Sequence, residues 1–167
     1  MNKMVAYLKS YGLILIALSV LTGCGFKLRG DYLLPESMTT LYVSSTDVHG
    51  ELTRLVKRHL SINNVHIVKQ SAAGIPELRI LNDGLDRRTL SLFENGQVAE
   101  YELTYTVNYE VIFEGQEQQK FEFELHRNYQ DNPDRALAKS RELTLLRTEM
   151  RAEAANRILR NLATIQP

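Results

Sequence analysis

Three kinds of residue in this chain can do chemistry: one thiol, one pair of strand carboxylates and a small set of cations. The thiol is Cys24, the only cysteine among 167 residues. A thiolate can attack an acyl donor, ligate a metal or close a disulfide, and with no second cysteine an internal disulfide is excluded. Glu122 and Glu124 lie two apart in an alternating stretch, which places them on one strand face about 7 Å apart, a separation some hydrolytic carboxylate pairs use. Two solvated neighbours on a wet strand face explain them more simply. His49, His59, His66 and His126 are scattered and form no HExxH or comparable pair, so they read as surface or internally bonded histidines rather than metal ligands. There is no GxSxG, and the NG and DG glycines belong to turns rather than to a phosphate cradle. Lys139 precedes Leu143, Leu146 and Met150 by four, seven and eleven residues, in line with the apolar stripe of a long helix. Its ammonium must snorkel to water or meet an anion. Arg87 and Arg88 interrupt a strand in "LDRRT" and, with Lys139, can offer cations to phosphate groups. A charged strand edge that discourages aggregation is the plain alternative. No catalytic set emerges.

The residues ahead of Cys24 point to its chemistry. Lys3 and Lys9 occur without any acidic residue, and the apolar "GLILIALSVL" follows from Gly12 to Leu21, the charged and hydrophobic regions of a secretory signal. A spanning helix needs about 20 apolar residues, and this run is roughly half that before Thr22, Gly23 and Gly25 interrupt it. The tetrad Leu21, Thr22, Gly23, Cys24 resembles a bacterial lipobox. The resemblance implies a diacylglyceryl group on the thiol, an N-acyl chain, and Cys24 as first mature residue. One acyl chain holds a protein at a membrane only marginally, whereas several give a lasting anchor. Gly25, rather than Asp, follows the cysteine, which resembles default sorting to the outer membrane. The expected organisation is a cleaved signal peptide over 1–23, a lipidated N-terminus and tether over 24–39, and one domain over 40–167.

Twenty basic residues balance 20 acidic ones. Cleavage removes Lys3 and Lys9 and leaves 18 against 20 over 144 residues, a net charge of −2. That balance draws no polyanion from a distance, so nucleic acid is not an expected partner. A chain of this length buries roughly two-thirds of its unfolded surface without disulfides or metal.

The elements that must position these groups are legible by period. "TLYVSS" (40–45) reads as a strand, and Asp47 is placed to cap a helix whose apolar positions Leu52, Leu55, Val56 and Leu60 end at Asn63 and Asn64. "ELRIL" resumes a strand, and strand, helix, strand predicts parallel pairing. In "YELTYTVNYEVIF", Tyr101, Leu103, Tyr105, Val107, Tyr109, Val111 and Phe113 alternate with polar residues, and "KFEFELHRNY" repeats the pattern. "ENGQ" and "EGQEQ" supply hairpin turns. Asp83-Gly84 is a rival turn signal, but the short flanks predict one long strand with a bulge at Gly84. "DNPD" opens a helix of about 30 residues, with Asn132 as cap and Pro133 as its first residue, carrying Leu143, Leu146, Met150, Ala154, Ile158, Leu162 and Ile165. Ala136, Ala154 and Ala155 imply close helix packing. The predicted fold is α+β, a two-layer sandwich of two helices on one face of a four-stranded mixed, mostly antiparallel sheet. The other face, with Glu102, Thr104, Thr106, Asn108, Glu122 and Glu124, is left polar.

"LTGCGFKLRG", "FENGQVAEYELTYTVNYEV" and "DNPDRALAK", in that order, resemble the LPS-assembly lipoprotein LptE family over essentially the whole mature chain. The resemblance implies a non-enzymatic protein without cofactor or metal beyond the lipid on Cys24, held at the periplasmic side of the outer membrane. It implies a plug within the large β-barrel LptD that assists assembly of that barrel and binds lipopolysaccharide. Basic residues near the hairpin and at the start of the last helix carry that binding in the family. Lys139 matches the second position, whereas Glu94 stands where a basic residue often precedes NGQ, leaving Arg87 or Arg88 to compensate. A stand-alone lipid or glycan carrier is the alternative, and it requires a large apolar cavity between helices and sheet. A periplasmic hydrolase lacks its catalytic set.

Overall fold

The computed structural model describes residues 34–131 and 136–165. The expected signal peptide, Cys24 and most of the tether, with the Asn132–Pro133 helix start, lie outside these residues.

After a 3₁₀ turn at Glu36–Met38, strand β1 (Thr40–Ser45) turns Leu41 and Val43 inward. Helix α1 (Glu51–Ile62) buries Leu52, Val56 and Leu60, with Leu55 partly covered, as the spacing predicts. Its N-cap is Gly50, not Asp47. Asp47 acts one step earlier, its carbonyl accepting from Gly50 N at 3.1 Å and from the buried Thr53 Oγ1 at 3.0 Å, which sets the turn into the helix. The helix stops where expected. Asn63 caps it and Asn64 takes φ 61°, the left-handed conformation that asparagine tolerates better than most residues.

The sheet has five strands, not four. The additional strand, β2 (His66–Val68), pairs in parallel with β1 through Thr40↔His66, Leu41↔Ile67 and Tyr42↔Val68. Three residues are too few to display a clear period of two, and the β-branched Val65, Ile67 and Val68 are its one local signal. β3 (Glu77–Leu92) pairs in parallel with β1, as expected, and antiparallel with β4 (Val98–Ile112), which pairs antiparallel with β5 (Gln119–Gln130). The order is β2-β1-β3-β4-β5. β1 reaches β3 only from Glu77 to Ile80, so from Asn82 onward β3 has an open edge among the described residues.

β3 runs through Asp83-Gly84 as one strand, with Gly84 paired opposite Thr106. Its irregularities fall elsewhere: the register shifts between Ile80 and Asn82, leaving Leu81 out of the pairing, and again between Thr89 and Leu92. The first shift has a large effect. An extra residue in one strand inverts the facing of all that follow. Leu78 and Ile80 point inward before it, and afterwards Asp83, Leu85, Arg87 and Thr89 share the face of the inward-pointing Val107, Tyr105 and Leu103. Both hairpin turns form, with Gly96 at φ 81° and Gly115 at φ 74°.

α2 (Ala136–Leu162) has 27 residues, about 40 Å of helix. It ends before Ile165, which still buries its side chain after the closing turn. Met150, Ala154, Ile158 and Leu162 join Leu52, Val56 and Leu60 of α1 and the inward sheet residues, Tyr109 among them, in a single buried cluster. Each large apolar side chain so covered contributes about 1.5–3 kcal/mol. Ala154 and Ala155 are fully buried, as close packing requires. One polar contact ties the helices to each other, His59 Nδ1 to Asn156 Oδ1 at 2.9 Å, and one ties α2 to the sheet, Asn161 Nδ2 donating to Tyr109 Oη at 2.8 Å.

Candidate functional site

The seam between the far half of the β3–β4–β5 meander and the start of α2 gathers two of the predicted cations. The Leu81 bulge turns Arg87 toward the helix side, where its guanidinium lies 4.3 Å over the Tyr101 ring. Tyr101 pairs across the strands with Tyr129, whose hydroxyl donates to the Lys139 carbonyl at 3.3 Å. Burial pushes the Tyr129 phenol up, Glu142 adds to the shift and Arg87 opposes it. Lys139 does meet an anion, and it is internal: its ammonium pairs with Asp131, with 16% of the lysine side chain exposed. Asp131 is itself anchored by its backbone N–H to Ala99 O at 2.8 Å. An external anion therefore meets Lys139 in competition with Asp131.

Arg88 points the other way. It holds Glu102 through Nε at 3.1 Å and Nη2 at 2.7 Å on the opposite sheet face, with 72% of its side chain in solvent. Both arginines nonetheless flank the open edge of β3. Further along the hairpin Leu90, Leu92 and Phe93 are exposed, as is Leu137, two residues before Lys139. Cations beside exposed apolar side chains suit an amphiphile that carries phosphate groups. Glu94 sits exposed in the turn, between Phe93 and the Asn95–Gln97 bonds that hold it.

The polar sheet face is an ordered ion lattice. Arg79 grips Glu77 with Nε at 2.9 Å and Nη2 at 3.0 Å, and reaches Glu110 with Nη1 at 2.8 Å. Glu110 is only 4% exposed although it lies on the polar side. Burial pushes the Glu77 carboxyl up, but hydrogen bonds from Arg79 and Ser44 and the Arg79 charge outweigh it and hold the group below its ordinary value. Along the same face His126 stands 3.5 Å from Glu124 and 3.2 Å from Thr104 Oγ1. Glu122 and Glu124 stand in the open on this face. Asp86, Glu77, Glu102, Glu110, Glu122 and Glu124 outnumber Arg79, Lys120 and Arg88 there, so the face is net acidic. Among the described residues no group of three or more histidines, cysteines or carboxylates can hold a metal.

A third cluster escaped the sequence reading. Between α1, α2 and the sheet, the Tyr105 hydroxyl donates to Asp83, Arg151 pairs with Glu51, and Arg151 Nε stands 3.9 Å from Asp83 Oδ2. Burial and then Asp83 push the Tyr105 phenol far above its ordinary range. Burial works against the Arg151 charge, but Tyr105 and Glu51 outweigh it and raise the group. Asp83 looks like a turn residue in sequence, and only the bulge two residues earlier aims it inward. Glu77 and Arg79 did leave a signal, being alternate residues of one strand and so neighbours on one face.

Such an arrangement defines a binding domain, in which charged groups are tied to one another on an open sheet and along a sheet–helix seam. The family model LptE, lipopolysaccharide-assembly, matches residues 38–162, and the chain belongs to that family. It is 38% identical over 151 residues to the LPS-assembly lipoprotein LptE of Pectobacterium atrosepticum, covering 90% of this chain and 82% of that one. The LptE of Photorhabdus laumondii is 37% identical over 150 residues, with the same coverage. Among solved structures, rare lipoprotein B from Shewanella oneidensis superposes with a TM-score of 0.70 at 49% identity, covering 75% of this chain and 94% of that one. An uncharacterized lipoprotein B from Nitrosomonas europaea gives 0.64 at 26% identity, covering 83% and 90%.

Proposed function

We propose that this chain is an outer-membrane lipoprotein of lipopolysaccharide assembly that works by occupying a β-barrel, LptD, and contacting lipopolysaccharide. It is not an enzyme and uses no cofactor. The family match over 38–162 carries the reading. In it, residues 1–23 are a cleaved signal and Cys24 bears the acyl anchor on the periplasmic side of the outer membrane. The 24–39 tether leads to a single domain over 40–167. The two helices form one layer over the five-stranded sheet, and the free sheet face, lined by the Arg79 lattice, turns to the barrel lumen, whose interior is polar in such proteins. The filled helix–sheet interior supports this over a stand-alone carrier, which needs room for acyl chains there.

Lipopolysaccharide contact is placed at Lys139 and Arg87 on the Tyr101–Tyr129 pair, with Arg88 reaching the same ligand around the open β3 edge. A tagged chain purified from envelopes carries a large β-barrel partner; purification of the chain alone would overturn the plug. Lys139→Glu sets a carboxylate beside Asp131 and weakens lipopolysaccharide binding about tenfold, or more, with the fold intact. Titration of purified variant and parent checks this, and equal affinities would remove Lys139 from the site.

A further inference from the structure

At the carboxyl ends of the parallel strands β1 and β2 lies a cavity of about 380 Å³, far along the chain from Lys139. Val43, Ser44 and Ser45 end one wall, and Ile67, Val68 and Lys69 another; Lys57 of α1 and the exposed Val48 complete the lining. In open sheets with parallel strands, ligands settle outside the strand carboxyl ends. The volume lies in the range of small-molecule sites.

Its charge is one-sided. Lys57 and Lys69 both line it, and neither pairs with a carboxylate among the described residues. No acidic residue occurs between Glu51 and Glu77, a stretch holding Arg54, Lys57, Arg58 and Lys69. Asp47 lies against Gly50. Glu77 is held by Arg79 and Ser44. The serine hydroxyls are also committed, that of Ser44 to Glu77 and that of Ser45 to the Asp47 carbonyl at 3.0 Å. Two lysines lining one space without a carboxylate partner leave it positively charged, and a bound anion offsets that charge and can accept hydrogen bonds from them.

We infer that this cavity is an anion site for a phosphoryl group, separate from the Lys139 seam, with Val48, Ile67 and Val68 offering apolar contact to whatever the phosphoryl group is attached to. A free phosphate ester and an anionic phospholipid headgroup share that chemistry. The inference is independent of the lipopolysaccharide contact proposed above.

The test uses the full-length protein purified in a neutral detergent and followed by amide NMR. One arm adds glycerol 1-phosphate. The other adds phosphatidylglycerol to the micelles, with phosphatidylcholine as the control. Saturable shifts at Ser45, Lys57 and Lys69 are expected, and the double variant Lys57→Gln, Lys69→Gln weakens them about tenfold with the remaining spectrum unchanged. Lys139→Gln leaves them as they were. Shifts in both arms support a site open to free esters, and shifts with phosphatidylglycerol alone support a headgroup site. No saturable shift in either arm, a response to phosphatidylcholine equal to that of phosphatidylglycerol, or shifts indifferent to the double variant would overturn the site.

Discussion

At the scale of single residues, the chain places charge where neighbours decide its effect. Glu77 shows this through pH. Its folded carboxyl lies below the ordinary 4.5 because Arg79 and Ser44 outweigh burial. A group depressed in the folded state stabilises fully above its unfolded value and loses that contribution as pH falls through the folded one. Stability therefore declines below about pH 4.5, and Glu77→Gln flattens that acid limb in denaturant midpoints measured against pH. An unchanged limb would assign the loss to other carboxylates. Lys139 was legible as a cation on an apolar stripe, but its partner Asp131 was not. The ion pair joins the end of β5 to the first turns of α2, and only folding brings them together.

At the scale of elements, termini and phase matter most. Asn64 holds φ 61° where α1 gives way to β2. Asn64→Ala costs about 1 kcal/mol, because a Cβ-bearing residue without a local side-chain hydrogen bond enters the left-handed region at that penalty, and Asn64→Gly restores most of it. Urea unfolding of the two variants checks the order, and an alanine variant as stable as the glycine one would show that the turn relaxes. The helices and the β4–β5 alternation were readable because amphipathic period is a local property. The Leu81 bulge was misplaced to Gly84 by glycine's usual association with bulges. What sets a bulge is the pairing of two strands, and β3 against β4 matches Ile80 to Tyr109 but Asn82 to Asn108.

At the scale of the whole molecule, Arg151 links α1, α2 and the sheet through Glu51 and Asp83. Arg151→Ala removes the cation between two carboxylates, leaving Asp83 with the Tyr105 hydroxyl and Glu51 with Arg54 at 3.8 Å. Because 24% of the arginine side chain reaches water, the expected loss sits below the range for fully buried pairs, at about 2 kcal/mol. Thermal or denaturant unfolding measures it, and a loss within a few tenths of a kcal/mol would mean that water already screens the pair. The same polar knot joins both helices to one side of the sheet, while Arg79 holds Glu77 and Glu110 on the opposite face.

The sequence alone determined the class of this protein: the lipobox-like tetrad, the two amphipathic helices, the long alternating strands and the family motifs are all carried by neighbours within a few residues of one another. The tertiary structure alone decided the fifth strand, the inward turn of Asp83 and Arg87, and the pairing of Lys139 with Asp131. Each depends on which strand lies beside which and in what register, and that register is set by the packing of distant segments against a shared core.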